Sequence, residues 1–369
     1  MDTPEHTIFK LEKKHLAEIH ATTNESLSAD LRDCEAGVEA FLGSKMEKAM
    51  QIMDRKYGYT LYHTFGKAVL QALQCVFTLD AGDIAVAQQA LKIVVEIASL
   101  LRKEQEWSLF GKKNPMKSMN RIQKHAEMVY AEAYLLKALI FLVTDPNMVG
   151  FVREGLAIRQ SYGMFKQAYK FLASVPISEQ EANGIDSHLV TSVYFGMGSF
   201  NLLLGTVPQK LLRIFEMIGF GGHRQFGLEC LELGAGWPRN PHVKKSDKKC
   251  AVFIDKPILT CGTRKFMCEL TLLMYHIFMA SLIQIPNCNL VTARVMTDKA
   301  LEMFPDSFVY LFFKGKSLQL DCTPDEAFVV FESVIKVQNE WKQFAHVCYW
   351  EMGMSCLAMG DWKKAVFSC

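Results

Sequence analysis

Gly315, Ala327 and Phe331 return as Gly353, Ala365 and Cys369, each 38 residues further along the chain. Small residues recurring at a fixed interval inside helical text constrain the fold strongly, because helices stack closely only where side chains are small. The copies read Leu311-x-x-Lys314-Gly315-x-x-Leu318 and Tyr349-x-x-Met352-Gly353-x-x-Cys356. Each precedes a turn, Asp321-Cys322-Thr323-Pro324 or Met359-Gly360-Asp361, and then a second helix carrying Ala327 or Ala365. The expected architecture is all-α: a right-handed superhelix, or α-solenoid, of helical hairpins.

An upstream segment ends at Ala300-Leu301-Glu302-Met303-Phe304-Pro305, with proline placed to stop a second helix. The set Ala300, Pro305, Gly315, Ala327, Phe331, Gly353, Gly360 and Ala365 resembles the tetratricopeptide pattern, whose unit is roughly 34 residues. These are the expected repeat-packing residues. Proteins built this way bind other proteins, so the pattern points away from catalysis.

Half of the 369 residues are hydrophobic and the formal net charge is +2, which supplies a core but no broad nucleic-acid surface. Eleven cysteines lack a spaced framework, and no charged-then-apolar leader opens the chain. They read as small buried hydrophobes of a reducing compartment, so a cytoplasmic location is expected. The longest apolar stretch, Leu270 to Ile285, would cover roughly 24 Å as a helix, short of a bilayer core. No transmembrane helix is expected, and peripheral contact with organelle or lipid surfaces stays open.

Four regions follow. Residues 1–29 read as a loosely ordered leader, and 30–236 as degenerate hairpin repeats. Within the latter, Asp83 is the expected cap of a helix after the Asp80-Ala81-Gly82-Asp83 turn, and a break is expected near Tyr162-Gly163. Gly196, Gly198, Ser199 and Gly205 suggest a face where another backbone approaches closely. Residues 237–267 form a basic, proline-containing loop or insertion. There Arg239, Lys244, Lys245, Lys248, Lys249, Lys256, Arg264 and Lys265 outnumber Asp247 and Asp255. Within it Lys244, Lys245, Lys248 and Lys249 are candidate contacts for an anionic surface, against the plainer reading of a solvated loop. Residues 268–369 carry the clear repeats, and the second helix of the last hairpin is unfinished at Cys369, so further hairpins are expected.

The text also carries longer likenesses. These include His125-Ala126-Glu127-Met128-Val129-Tyr130-Ala131-Glu132, Gly155-Leu156-Ala157-Ile158-Arg159-Gln160-Ser161-Tyr162 and Ile218-Gly219-Phe220-Gly221-Gly222-His223-Arg224. Near the end, Val337-Gln338-Asn339-Glu340-Trp341-Lys342-Gln343-Phe344 precedes Cys348-Tyr349-Trp350-Glu351. Over most of 30–369 the chain resembles the tetratricopeptide repeat protein 39 family. That resemblance implies a non-catalytic adaptor or scaffold with protein partners, linked to cytoplasmic, organelle or lipid roles, with no catalytic residues to carry over and no cofactor. The stretch 237–267 is longer than the family's usual connection.

Chemistry-bearing motifs are weak. Gly315-Lys316-Ser317 imitates a phosphate loop, but Tyr310 stands where that loop needs glycine. Cys250, Cys261 and Cys268 with His242 lack the close pairs of structural zinc sites, so no metal is expected. His125, His188, His276 and His346 read as packed or surface histidines, and Glu127 and Glu132 as hairpin-surface carboxylates. The basic chaperone-tail clamp would need lysine and asparagine where the repeats carry Phe312 and Lys316, then Trp350 and Met354. Two other classes compete with the adaptor: a lipid or membrane-surface protein using an apolar inter-helix cavity or the basic loop 239–265, and a helical enzyme with an unrecognised site.

Overall fold

A computed structural model describes residues 11–102, 114–144, 153–206, 222–237, 262–279, 290–338 and 340–368. Among the described residues there are fifteen α-helices and no strand. The first five are α1 (Lys13–His20), α2 (Asn24–Leu42), α3 (Met46–Asp54), α4 (Leu61–Thr78) and α5 (Ala81–Leu101). Next come α6 (Arg121–Thr144), α7 (Gly155–Ser174), α8 (Ser187–Thr206) and α9 (Arg224–Gly234). Helix α10 (Lys265–Met274) runs on as a π-helical turn, Tyr275–Met279. The last are α11 (Leu290–Met303), α12 (Phe308–Leu320), α13 (Pro324–Val337), α14 (Lys342–Ala358) and α15 (Trp362–Ser368).

Local chemistry fixes several boundaries. Thr23 caps α2 by accepting from the Ser26 amide at 3.2 Å, while Ser26 Oγ accepts from the Thr23 amide at 2.9 Å. Helix therefore begins inside the segment expected to be a loose leader, and α1 precedes it; residue 29 is not a boundary. Asp80, not Asp83, caps α5, accepting from the Gly82 and Asp83 amides. The Asp83 carboxylate instead ties back to Gln74 and Thr78 of α4. Helix α7 passes through Tyr162-Gly163 unbroken, and a Cβ at Gly163 would meet nothing, so this glycine marks neither a break nor a close crossing.

Sequential helices pair as α2/α3, α4/α5, α6/α7 and α8/α9, and first helices also touch one another: α2 on α4, α4 on α6, α6 on α8. This is the two-layer stacking of a helical-hairpin solenoid. The small residues of α8 mark its closest crossing. A Cβ at Gly227 of α9 would sit 2.7 Å from the Leu202 amide nitrogen and 2.9 Å from the Gly198 carbonyl oxygen. Helix α5 is long and apolar enough to cross a membrane by length and composition, with mean hydropathy 1.6. In the fold it lies between α4 and α6, burying Ala87, Leu91, Val94, Ile97 and Ala98.

The later hairpins, α11/α12, α12/α13, α13/α14 and α14/α15, pack in succession and then meet the start of the chain. Ser44, left-handed at φ 61 in the α2–α3 turn, donates its hydroxyl to the Asp306 carbonyl at 2.5 Å and accepts from the Phe308 amide at 2.8 Å. Phe41 of α2 meets Phe308 edge-on at 5.6 Å, and α14 packs on α4. First and last parts of the chain thus share one core.

Candidate interaction surface

What is left open to a partner depends on what the chain itself covers. The segment 262–267 crosses all four first helices. The Thr263 amide donates to His188 Nδ1 on α8 at 3.3 Å, and a Cβ at Gly262 would strike the Thr191 hydroxyl. Arg264 donates from Nε and Nη2 to both Glu132 oxygens on α6, at 3.0 and 2.6 Å. Its guanidinium lies 4.9 Å from the ring centres of Tyr62 and Phe65 on α4. Phe266 stands 6.2 Å from Phe41 of α2. Helix α10 then buries Phe266, Met267, Cys268, Leu270, Leu272 and Leu273, and its π turn places Phe278 on Phe312 and Phe313. The segment 262–267 and α10 therefore cover part of the shared face of the first four hairpins.

This revises the reading of 237–267 as an exposed basic loop. Its described end is an ordered turn leading into α10, and Arg264 is among the most buried large side chains of the molecule. Burial opposes the guanidinium charge, but the facing Glu132 carboxylate keeps it firmly protonated. Glu127 and Glu132 are likewise buried rather than at a hairpin surface. Glu127 takes Arg102 Nε at 2.5 Å, and that guanidinium lies 3.9 Å over Tyr130. A five-residue spacing gave no hint that both carboxylates turn inward, because each partner comes from a remote segment. Lys244, Lys245, Lys248 and Lys249 lie outside the described residues, as do Cys250, Cys261 and His242.

A second polar chain runs beside Arg264. The Tyr62 hydroxyl lies 2.5 Å from His125 Nδ1, and His125 Nε2 lies 3.1 Å from Asp186 Oδ2. Arg121 donates to the same oxygen from Nε and Nη2, and the Leu189 amide donates to Oδ1. Burial lowers the His125 pKa, so a neutral ring accepts from Tyr62 and donates to Asp186. Burial alone would raise the Asp186 pKa, but His125, Leu189 and Arg121 together hold it well below the usual carboxylate range. A hydroxyl–imidazole–carboxylate series resembles a nucleophile relay, yet Tyr62 and His125 are sealed from solvent and substrate. The relay works as a rivet between α4, α6 and α8. Burial also pushes the Cys34 and Cys348 thiols up to about 12, away from reactive thiolates.

A cavity of about 30 Å³ between α2, α4 and α10 is lined by Cys34, Gly37, Met53, Phe65, Val69 and Met267, among others. Small-molecule pockets run to roughly 300 Å³ or more, so this space does not hold an acyl chain. On the α2 side, Asp30, Asp33 and His63 bring ligand-type atoms within 4.8 Å of one another.

The repeat-packing residues fall as follows. Ala300, Ala327, Phe331 and Ala365 are buried; a Cβ on Gly315 would lie 2.7 Å from the Phe331 ring, so these two fill one crossing. Gly353 is buried in α14, Gly360 makes the following turn at φ 77, and Pro305 is an exposed turn residue after α11. Large apolar groups stay exposed beyond them. On α14 these are Tyr349, Trp350, Met354 and Leu357, and on α15 Trp362 and Val366, with Trp350 60% and Trp362 68% exposed. Trp350, Met354 and Leu357 follow helical spacing and form one stripe. The upstream counterpart of Trp350 in the 38-residue repeat, Phe312, is buried under Phe278 and Phe344. Nothing in the sequence signals this contrast, since Phe312 and Trp350 stand at equivalent positions of their repeats.

No solved structure matches this chain. Tetratricopeptide repeat protein ttc-39B of Caenorhabditis elegans is 24% identical over 337 residues, covering 90% of this chain and 54% of the relative. The chain thus spans about half the length of that curated relative. The family model described as Iml2/Tetratricopeptide repeat protein 39 matches residues 35–240 and 261–369. With stacked hairpins and a match over both parts of the chain, the protein belongs to the Iml2/tetratricopeptide repeat protein 39 family.

Proposed function

We propose that the protein is a non-catalytic helical-repeat adaptor that binds protein partners through the last hairpin, α14/α15. One observation carries this reading: the α14 stripe Trp350, Met354 and Leu357 is exposed, while Phe312, the counterpart of Trp350 one repeat upstream, is covered by Phe278 and Phe344. Exposed aromatic and methionine side chains on a rigid scaffold are the commonest anchors of protein interfaces, and a preformed surface limits the entropy lost on binding. Membership of a family named for tetratricopeptide repeats supports the same class of role. The concave surface of a solenoid is the usual binding face of repeat proteins, and here the segment 262–267 with α10 takes up part of it, which favours the last hairpin.

Of the seven free cysteines among the described residues, Cys34, Cys75, Cys230, Cys268, Cys348 and Cys356 are buried and Cys322 is exposed; unpaired thiols suit a reducing compartment, and we propose a cytoplasmic location. A role in lipid-linked or organelle-associated regulation belongs to this proposal as the setting of the partner. The test is affinity purification with Trp350→Glu and Met354→Glu beside the unaltered chain. Stoichiometric partners recovered by the unaltered chain and lost with both variants, at unchanged thermal stability, are the expected result. Partners retained by both variants would remove the α14 surface from the function.

A further inference from the structure

We infer that Asp30, Asp33 and His63 form a binding site for a divalent first-row transition-metal ion, clasping α2 to the first turn of α4. Asp30 and Asp33 are three residues apart on α2 and so share a face. His63 is the third residue of α4 and is buried, its side chain only 1% exposed. Its Nε2 makes no hydrogen bond, although it stands 3.3 Å from Asp33 Oδ2. A buried ring nitrogen left without a hydrogen bond is costly, and two lone-pair groups at that distance call for a cation or a proton between them. Two ligand atoms each about 2.0–2.1 Å from a tetrahedral zinc ion lie about 3.3 Å apart, so the pair is already at coordination spacing.

The other ring nitrogen is oriented as a ligand histidine requires. Thr60, the residue preceding α4, does not cap the helix with its side chain; its Oγ1 lies 2.9 Å from His63 Nδ1. With Nδ1–H donated to Thr60, the Nε2 lone pair faces Asp33, the arrangement that fixes tautomer and ring angle at metal sites, and Asp30 lies within 4.8 Å as the second carboxylate. Asp30 Oδ1, 3.6 Å from His63 Nδ1, is held by the Lys56 ammonium at 2.9 Å. Lys56 is half-exposed on a flexible stem, while Asp30 is buried, so the ammonium can leave and the carboxylate stays. Lys56 is thus a built-in competitor for the ion. One imidazole and two carboxylates suit zinc, cobalt or manganese and leave a position for water.

The experiment adds Co²⁺, and separately Zn²⁺, to the metal-stripped full chain, reading cobalt d–d absorption and zinc calorimetry. One equivalent bound without thiolate charge-transfer bands is expected, since the site has no sulfur. Asp33→Asn, at a half-exposed position, should abolish binding while leaving metal-free thermal unfolding unchanged. Thr60→Ala should weaken it by about tenfold through the lost orientation of His63. Lys56→Met should tighten it several-fold, an effect that a purely structural Lys56–Asp30 pair does not predict. Absence of binding, thiolate bands, or binding indifferent to both Asp33→Asn and Lys56→Met would overturn the assignment. None of these readouts depends on a protein partner.

Discussion

Phe77, in the last turn of α4, meets Phe344, in the first turn of α14, with ring centres 5.1 Å apart and planes at 87°. Edge-to-face pairs of this kind contribute about 0.5–1.5 kcal/mol beyond area burial. Around them Phe308 and Phe312 lie 5.0 and 5.3 Å from Phe344, and Trp341 stacks on it at 5.3 Å. This knot joins helices from opposite parts of the chain, and so determines whether the protein unfolds as one body.

Phe344→Ala should therefore cost about 3–5 kcal/mol, the range for truncating a buried phenylalanine. Because the knot couples the two parts, the variant's urea transition should also broaden or split, which near-ultraviolet and far-ultraviolet dichroism would reveal as separate midpoints. A single sharp transition shifted by less than 1 kcal/mol would show that the knot is not coupling the two parts.

Arg264 and Glu132 offer a second test, because a sealed ion pair and a broken one behave differently. Removing one partner leaves the other charged and buried, so Arg264→Met or Glu132→Leu alone should destabilise by about 3–5 kcal/mol. The double variant should recover most of that loss, since a well-packed apolar pair often matches a buried ion pair. Denaturant midpoints at unchanged slope would measure this. A double variant as unstable as the worse single one would mean the pair does more than neutralise itself.

The all-α hairpin architecture was legible because its signals are local. The 38-residue echo, the Gly315/Phe331 crossing and the glycine set on α8 all report contacts between neighbouring helices. The Asp83 cap failed by three residues, since Asp80 and Asp83 both suit that role and only the Thr78 and Gln74 side chains decide between them. Long-range features were not legible. Arg264 stands in a run of surface-type lysines, and nothing near it in sequence names Glu132 as its partner. The same holds for Asp30, Asp33 and His63, which only the α2/α4 crossing brings together.

Acid should weaken the fold between pH 7 and pH 5. Burial pushes the pKa values of His188 and His276 down to about 4, against about 6.5 in an unfolded chain. The unfolded state then binds more protons in the window from about 6.5 to about 4, so stability falls as pH falls through it. Each histidine removes on the order of 2 kcal/mol at pH 5. His63 and His125, also lowered by burial, act in the same direction. Glu269, raised by burial, partly offsets them. Asp186 plays no part there, because its depressed pKa keeps its contribution intact until pH drops below the ordinary carboxylate value. Urea midpoints at pH 7 and 5 should show the loss, and His276→Gln should flatten it. A midpoint that holds or rises at pH 5 would contradict the assignment of neutral buried histidines.

Leu79 sits at the end of α4 in the left-handed region, φ 53 and ψ 21, with its amide bonded to the Cys75 carbonyl and its side chain 55% exposed. That backbone shape suits glycine or asparagine, and it costs an ordinary residue roughly 1–2 kcal/mol. The exposed leucine recovers little of this through packing. Leu79→Asn keeps the amide and tolerates the conformation, so it should raise stability by about 0.5–1 kcal/mol in thermal or urea unfolding. Leu79→Gly relieves the same strain but frees the unfolded chain, so its gain should be smaller. A loss of stability in the asparagine variant would mean that the Leu79 side chain packs in solution more than its exposure implies.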